Sequence, residues 1–494
     1  MKNKLTLLNI VSSFLLQVCL IFSGFIIPKL ILTYFGSTVN GLVSSLNQFL
    51  SYITLLEGGV TGIITASLYK PLVNNDNKKI SAIVKTSCLF FRKIGLFYII
   101  YSILLAIIYP LFIHSFSFIY IFVLTLILSL NMLIQYMFSL TFKILLSADK
   151  KVYIVSFVQV IIVILNIVLS VLIVHIYPNI RIFKLINGAL YIIQPIIFNH
   201  YIKKYYNIDY SVPEDKELIK NRWNGFAINV AAFIHYSTDI TILTIFTNLK
   251  TVSIYSVYCL VTCAIRQLIS SVSTGINPVI GQAYAKGDYN DLNNKLDLYE
   301  YFIFISIFLL FSVSALLITP FVLLYTSGIN DTNYYQPLFG TLLIISEALY
   351  LIKFPHLNLA YAANKFKEIT KPAYIEATIN IILSIILVNK FGLVGVTIGT
   401  IIAMIYRMIF HVKFTSKIIN RNQNIFYSKL LIFMLSTFVG IGICHFLISP
   451  VKIEVVNWLW HGIAYVFIMG ITYFITSLLF FKKELLYCKK YLRR

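Results

Sequence analysis

Charge is scarce in this chain: of 494 residues only 12% are Asp, Glu, Lys or Arg, about half the ordinary share. That excludes the ordinary soluble globular class. Long polar stretches are missing as well, and the longest, Tyr201 to Asn224, is too short and too charged to fold alone. There is therefore no soluble catalytic module, and the chain is not expected to be an enzyme. Cysteine is limited to six (Cys19, Cys88, Cys259, Cys263, Cys444 and Cys488), without a C-x-x-C pair or a His at ligand spacing. Neither a disulfide framework nor a metal site is indicated. A cleavage motif is absent too: Lys2 and Lys4 precede an apolar run, but no small-x-small site comes after it. The run is expected to be retained as the first helix.

What is present is apolar, with 59% hydrophobic residues and a mean hydropathy of +0.86. A bilayer span needs about 20 such residues. Fourteen runs qualify, centred near residues 21, 55, 103, 128, 164, 192, 235, 263, 312, 347, 381, 403, 438 and 468. The expected fold is an all-α polytopic membrane protein of about fourteen transmembrane helices. A net charge of +22 would suggest nucleic acid in a soluble chain. Here the basic clusters Lys78, Lys79, Lys85, Arg92 and Lys93, then Lys203 and Lys204, then Lys482 to Arg494, fall in segments that alternation places on one side. The positive-inside rule makes that side the cytoplasm and puts both termini there. The partner of this charge is anionic lipid, not nucleic acid, and the location is the cell membrane.

The segment NIVLSVLIV from Asn166 returns as NIILSIILV from Asn380, an offset of 214. Ala148-Asp149-Lys150 matches Ala363-Asn364-Lys365 at 215, Tyr69 matches Tyr284 at 215, Pro110 matches Pro320 at 210, and Phe35 matches Phe246 at 211. Ordered anchors at a nearly constant offset predict an internal repeat. It relates spans 1–6 to spans 7–12, and an even number of spans makes the repeats parallel. The expected organisation is an N-lobe at 1–205, a cytoplasmic linker at 206–222, a C-lobe at 223–420, and two extra spans with a basic tail at 421–494. Two such lobes suit a cleft that opens to alternate sides.

A charge at mid-bilayer costs roughly 2.5–3.5 kcal/mol on insertion scales, so it usually faces a wet cavity or a partner. Arg266 in span 8 is the first candidate for a substrate cation, with a structural ion pair as the bland alternative. Lys29, Lys353 and Arg407 are further candidates, although nearer span ends a long side chain can also reach the headgroups. Asp239 and His235, four apart on span 7, could hold a proton or sodium, or only fix packing. Glu57 of span 2 and Glu347 of span 10 complete the coupling or gating candidates, and the partner of Glu347 must come from another helix. Candidate hinges are Pro28, Gly58, Gly59, Pro278 and Pro355, each removing a backbone bond or a side chain. The 34 Tyr and 39 Phe exceed what interface belts require and could line a sugar path.

Three segments carry a resemblance: YFGSTVNGLVSSLNQFLSYITLLEGGVTGIITASLYKPL from Tyr34 to Leu72, GQAYAKGDYNDL from Gly281 to Leu292, and FGLVGVTIGT from Phe391 to Thr400. They are similar to elements of the polysaccharide transporters and Wzx-type lipid-linked oligosaccharide flippases, of the multidrug/oligosaccharidyl-lipid/polysaccharide exporter superfamily. Glu57 stands where many relatives carry Asp. The resemblance implies movement of undecaprenyl-pyrophosphate-linked oligosaccharide to the outer leaflet for surface polysaccharide assembly, by alternating access. It implies no cofactor beyond a coupling H+ or Na+, and as partners the lipid-linked glycan, membrane lipids, a polysaccharide polymerase and glycosyltransferases. Arg266 and Lys29 lie in the spans that supply cavity cations in related cell-wall precursor flippases. The alternatives are an ion-coupled multidrug exporter of the same superfamily and a membrane polymerase or glycosyltransferase. The last would need a sizeable outer loop, and the longest here, near Asp331, has about ten residues.

Overall fold

A computed structural model of the chain describes residues 2–57, 59–215, 218, 233 and 237–492. It divides into two units, Met1–Phe233 and Ile234–Arg494. Among the described residues every regular element is helical. Unit 1 holds α1 (Lys2–Ser51), a 3-10 turn (Tyr52–Glu57), α2 (Val60–Val73), α3 (Asn77–Phe112) and α4 (Phe118–Ile134). A π-helical turn (Gln135–Ser139) runs into α5 (Leu140–Ala148), followed by α6 (Val152–Ile176), α7 (Ile180–Ala189), a 3-10 turn (Leu190–Ile192) and α8 (Ile193–Tyr205). Unit 2 holds α9 (Ser237–Phe246), α10 (Leu249–Ala285), α11 (Tyr289–Tyr325), α12 (Pro337–Ile352) and α13 (Phe354–Ala362). After these come α14 (Phe366–Ile418), α15 (Asn424–Leu447), α16 (Val455–Phe480) and α17 (Lys482–Leu492).

Eleven helices among the described residues are long and apolar enough to cross a membrane. Two of the longest are not single rods. α1 breaks at Gly36 (φ 79°, ψ 173°) and α14 at Gly392 (φ 52°, ψ −124°). Both conformations lie where a Cβ would clash, so the chain can turn there only because glycine stands at each point. A rod of 50 residues would measure roughly 75 Å, far beyond the apolar thickness of a bilayer.

Helix starts follow from caps. Asp76 accepts from the Lys79 amide at 3.0 Å, Asn248 from that of Thr251 at 2.9 Å, and Asp288 from those of Asn290 and Asp291. The Gly-Asp of GQAYAKGDYNDL thus has a physical reason: Gly287 (φ 73°) closes α10 and Asp288 opens α11. The outer surface is apolar, with Phe14, Phe97, Phe446 and Phe467 exposed. Many interior hydroxyls are satisfied by their own helices, as where Ser87 donates to the Ile83 carbonyl at 2.7 Å and Thr125 to that of Ile121 at 2.8 Å. In hydrocarbon such internal satisfaction is favoured, because no water competes for the donor.

The turn after α5 recurs after α13. Lys150 and Asn364 both take positive φ, 60° and 55°. The Lys151 amide donates to the Leu146 carbonyl (2.9 Å) as Lys365 does to Ala360 (3.0 Å), and Lys150 to Ser147 (3.3 Å) as Asn364 to Tyr361 (3.0 Å). These pairs all stand 214 apart. The geometry therefore corrects the offset of 215 read from Ala148 and Ala363 and brings this turn into register with the Asn166 and Asn380 segments. α15 and α16 pack on α11 and on each other within unit 2.

Candidate functional site

In unit 1 Glu57 ends the 3-10 turn, and Gly59, in a left-handed conformation (φ 81°), admits the chain to α2. Gly58 lies outside the described residues. Facing this break is a second irregularity, the π-helical turn, whose Tyr136 hydroxyl donates to Glu57 Oε1 at 2.5 Å. A π turn inserts one residue and re-aims the rest of the helix, a device frequent at functional sites. Lys143, farther along on α5, acts electrostatically on Glu57. Lys29 is half-buried in α1, directly after Pro28, which α1 accommodates within its helix.

Unit 2 brings together more of the candidates. Asp239, 4% exposed, accepts from the Tyr255 hydroxyl of α10 at 2.9 Å and from Thr400 Oγ1 of α14 at 3.1 Å. Asn380 donates through Nδ2 to Thr400 at 2.9 Å, while its Oδ1 is buried without a hydrogen bond. Asn380 and Thr400 share one helix and meet because Gly392 folds α14 back between them. The expected neighbour of Asp239, His235, lies outside the described residues.

Arg266 of α10 donates through Nη1 to Glu347 Oε1 of α12 at 2.8 Å and through Nη2 to Cys263 Sγ at 3.1 Å. Glu347 therefore takes its partner from another helix, as the sequence requires. Its Oε2 is buried and accepts nothing. Lys353 and Arg407 do not reach outward to headgroups: they are 2% and 5% exposed. Both turn to Glu376, at 3.9 Å from Lys353 Nζ and 3.3 Å from Arg407 Nε, and Arg407 also donates to His411 Nε2 at 2.8 Å. Two cations thus share one carboxylate. Pro355 stands in the first turn of α13, just past the break at Lys353, where its missing N–H costs nothing. Pro278 lies within α10.

A further cluster is not foreshadowed by the mid-span charges. Glu300 on α11 is completely buried and accepts from Arg421 through both oxygens, at 2.5 and 2.7 Å, and from Lys429 at 3.1 Å. Asp297 accepts from the same two cations at 2.5 and 2.7 Å. His356 Nε2 of α13 lies 3.1 Å from Glu300, and Glu484 of α17 lies 3.6 Å from Lys429. The available signal was that Asp297 and Glu300, three apart, share a helix face. The cluster joins α15 and α17 to α11, and its cations are already matched by acids.

No protein-family profile matches the chain, and no curated protein is similar to it in sequence. Solved structures are similar in fold. The lipid II flippase MurJ in an inward closed conformation superposes with a TM-score of 0.75 at 18% identity, over 97% of this chain and 99% of that one. An inward-facing multidrug resistance MATE family transporter of the MOP superfamily gives 0.68 at 13% identity, over 81% and 95%. The MATE multidrug transporter DinF-BH gives 0.60 at 14% identity, over 86% and 96%. By fold, the chain is similar to MurJ and to the MATE transporters.

Proposed function

We propose that the protein flips a polyprenyl-pyrophosphate-linked oligosaccharide, of the undecaprenyl type, from the inner to the outer leaflet of the cytoplasmic membrane by alternating access. The observation that carries this reading is the pair Arg266–Glu347, in which a guanidinium within a membrane span meets one carboxylate oxygen while the other accepts nothing. A pyrophosphate offers this guanidinium, which holds one carboxylate oxygen and the weakly accepting Cys263 Sγ, several charged oxygens at once and can displace Glu347 from it. The fold likeness to a lipid II flippase adds support. Under this reading both termini are cytoplasmic. The spans would number fourteen: the eleven long helices, two of them divided at Gly36 and Gly392, and one that includes α9. The glycan would serve surface polysaccharide, in company with glycosyltransferases and a polymerase.

Asp239 is the proposed coupling residue. It is a carboxylate held by two hydroxyls, one of which, Thr400, also accepts from Asn380, whose Oδ1 has no hydrogen bond; this suits a proton or Na+. A second reading, an ion-coupled multidrug exporter, draws on Glu347 Oε2, a buried acceptor that a cationic drug could use. A deletion strain separates the two. Loss of surface polymer with the lipid-linked unit trapped inside, restored by wild type but not by Arg266→Ala, supports the flippase. Normal polymer with raised sensitivity to cationic drugs supports the exporter and sinks the flippase.

A further inference from the structure

Inside unit 1 lies a cavity of about 430 Å³, walled by α1, α4, α6 and α7. Its size falls in the range of about 300–1,000 Å³ usual for small-molecule sites. The lining is rich in carboxamides, Asn40, Asn47, Asn131, Asn166 and Asn187, and among the lining residues Lys184 is the one charged side chain. The amide oxygens are partly spoken for: Ser170 donates to Asn187 Oδ1 at 3.1 Å and to Asn166 Oδ1 at 3.3 Å, and Gln135 to Asn131 Oδ1 at 2.7 Å. One Ser170 proton serves both oxygens, and Asn166 and Asn187 keep their N–H donors, besides an oxygen lone pair each, for a ligand. The nearest aromatic face to Lys184 is Phe183, 5.4 Å from Nζ, and no carboxylate pairs with it among the described residues.

The internal repeat sharpens the contrast with unit 2. Asn166 and Ser170 stand at the positions of Asn380 and Ser384, 214 apart. Across from each pair the chain after the break supplies Asn187 in unit 1 and Thr400 in unit 2. At the offset set by Phe35 and Phe246, the counterpart of Asp239 is Pro28, which lines the cavity and brings no acid. The same framework therefore carries a carboxylate in one unit and a lysine in the other. Lys184 is half-buried beside these amides with no carboxylate on it among the described residues, and an anion would complete it.

We infer that the unit 1 cavity binds a sugar ring bearing an anionic group, a carboxylate or a phosphate, with Lys184 on the anion and the amides of Asn166 and Asn187 on ring hydroxyls. Tyr191 supplies an aromatic wall for the ring. The choice of a sugar rests on the flippase reading, whereas the charge of the ligand rests on the cavity alone.

The test uses the purified full-length chain in lipid nanodiscs, with saturation-transfer NMR on glucose, glucuronate, glucose 1-phosphate and acetate. Glucuronate or glucose 1-phosphate should bind well above glucose and acetate, and the stronger of the two identifies the anion. Lys184→Gln should weaken that ligand about tenfold, Lys184→Arg should retain it, and Asn187→Leu should weaken every sugar. Equal signals for glucose and glucuronate, or for acetate and glucuronate, would overturn the inference. So would an unchanged signal in a folded Lys184→Gln; should that variant not fold, Lys184→Arg losing the acidic sugar while Asn187→Leu keeps every sugar would do the same. Loss of flipping in cells with sugar binding intact would count against the flippase and leave this site standing.

Discussion

Arg266 and Glu347 meet at 2.8 Å across two helices of unit 2, and the second oxygen of Glu347 accepts no hydrogen bond. The pair is poised between two roles, a structural clasp and a cation ready to exchange partners, and a charge swap tells them apart. Arg266→Glu combined with Glu347→Arg restores attraction and should restore protein level. Transport should stay at least about tenfold low, because the cation has moved to another helix. Membrane abundance and lipid-linked glycan export, measured together, check this. Full recovery of both would reduce the pair to a clasp.

Tyr136 holds Glu57 across two irregular turns. Tyr136→Phe removes the donor and little else. A hydrogen bond to a charged group is worth about 1.5–3 kcal/mol, so the expected results are a lower melting temperature in detergent and slower export. Glu57→Gln should be milder in melting, since the amide oxygen still accepts from Tyr136. Equal melting of Tyr136→Phe and wild type would show that the contact holds nothing.

Asp239 accepts from Tyr255 and Thr400, and Thr400 accepts in turn from Asn380. If it carries the coupling ion, Asp239→Asn should abolish dependence of transport on either the sodium or the proton gradient, and Asn380→Leu should weaken ion dependence by about tenfold or more. Transport into vesicles under imposed gradients of each ion reads this directly. Unaltered ion dependence in both variants would assign the residues to packing.

The cluster around Glu300 is a matter of stability. Arg421→Ala leaves a fully buried carboxylate short of its main partner, and breaking such a pair costs about 3–5 kcal/mol. Thermal scans of the purified protein should show a large loss for Arg421→Ala. The double variant Glu300→Leu with Arg421→Leu, which removes both charges, should lose less.

Much of this was legible in the sequence because span length and charge placement are one-dimensional properties. The apolar runs, the need of Glu347 for a partner from another helix, and the recurrence of the Asn166 segment at Asn380 all follow from order along the chain. The features that were not legible depend on irregular backbone. Nothing in QYMFS announces a π turn, so Tyr136 could not be matched to Glu57. The inward course of Lys353 and Arg407 depends on Glu376, which the helix breaks at Lys353 and Gly392 bring near them. The Glu300 cluster escaped because its cations lie in a loop and at a helix start, and only tertiary packing buries them.

The most direct test of the central claim is reconstitution. The purified chain, placed in liposomes containing a polyprenyl-pyrophosphate oligosaccharide, should carry the glycan to the opposite leaflet, scored by an impermeant glycan-binding probe or glycosidase. The expected result is movement with wild type that falls to the protein-free level with Arg266→Ala. Movement at the protein-free level with folded wild-type protein, under imposed sodium, proton and electrical gradients, would contradict it.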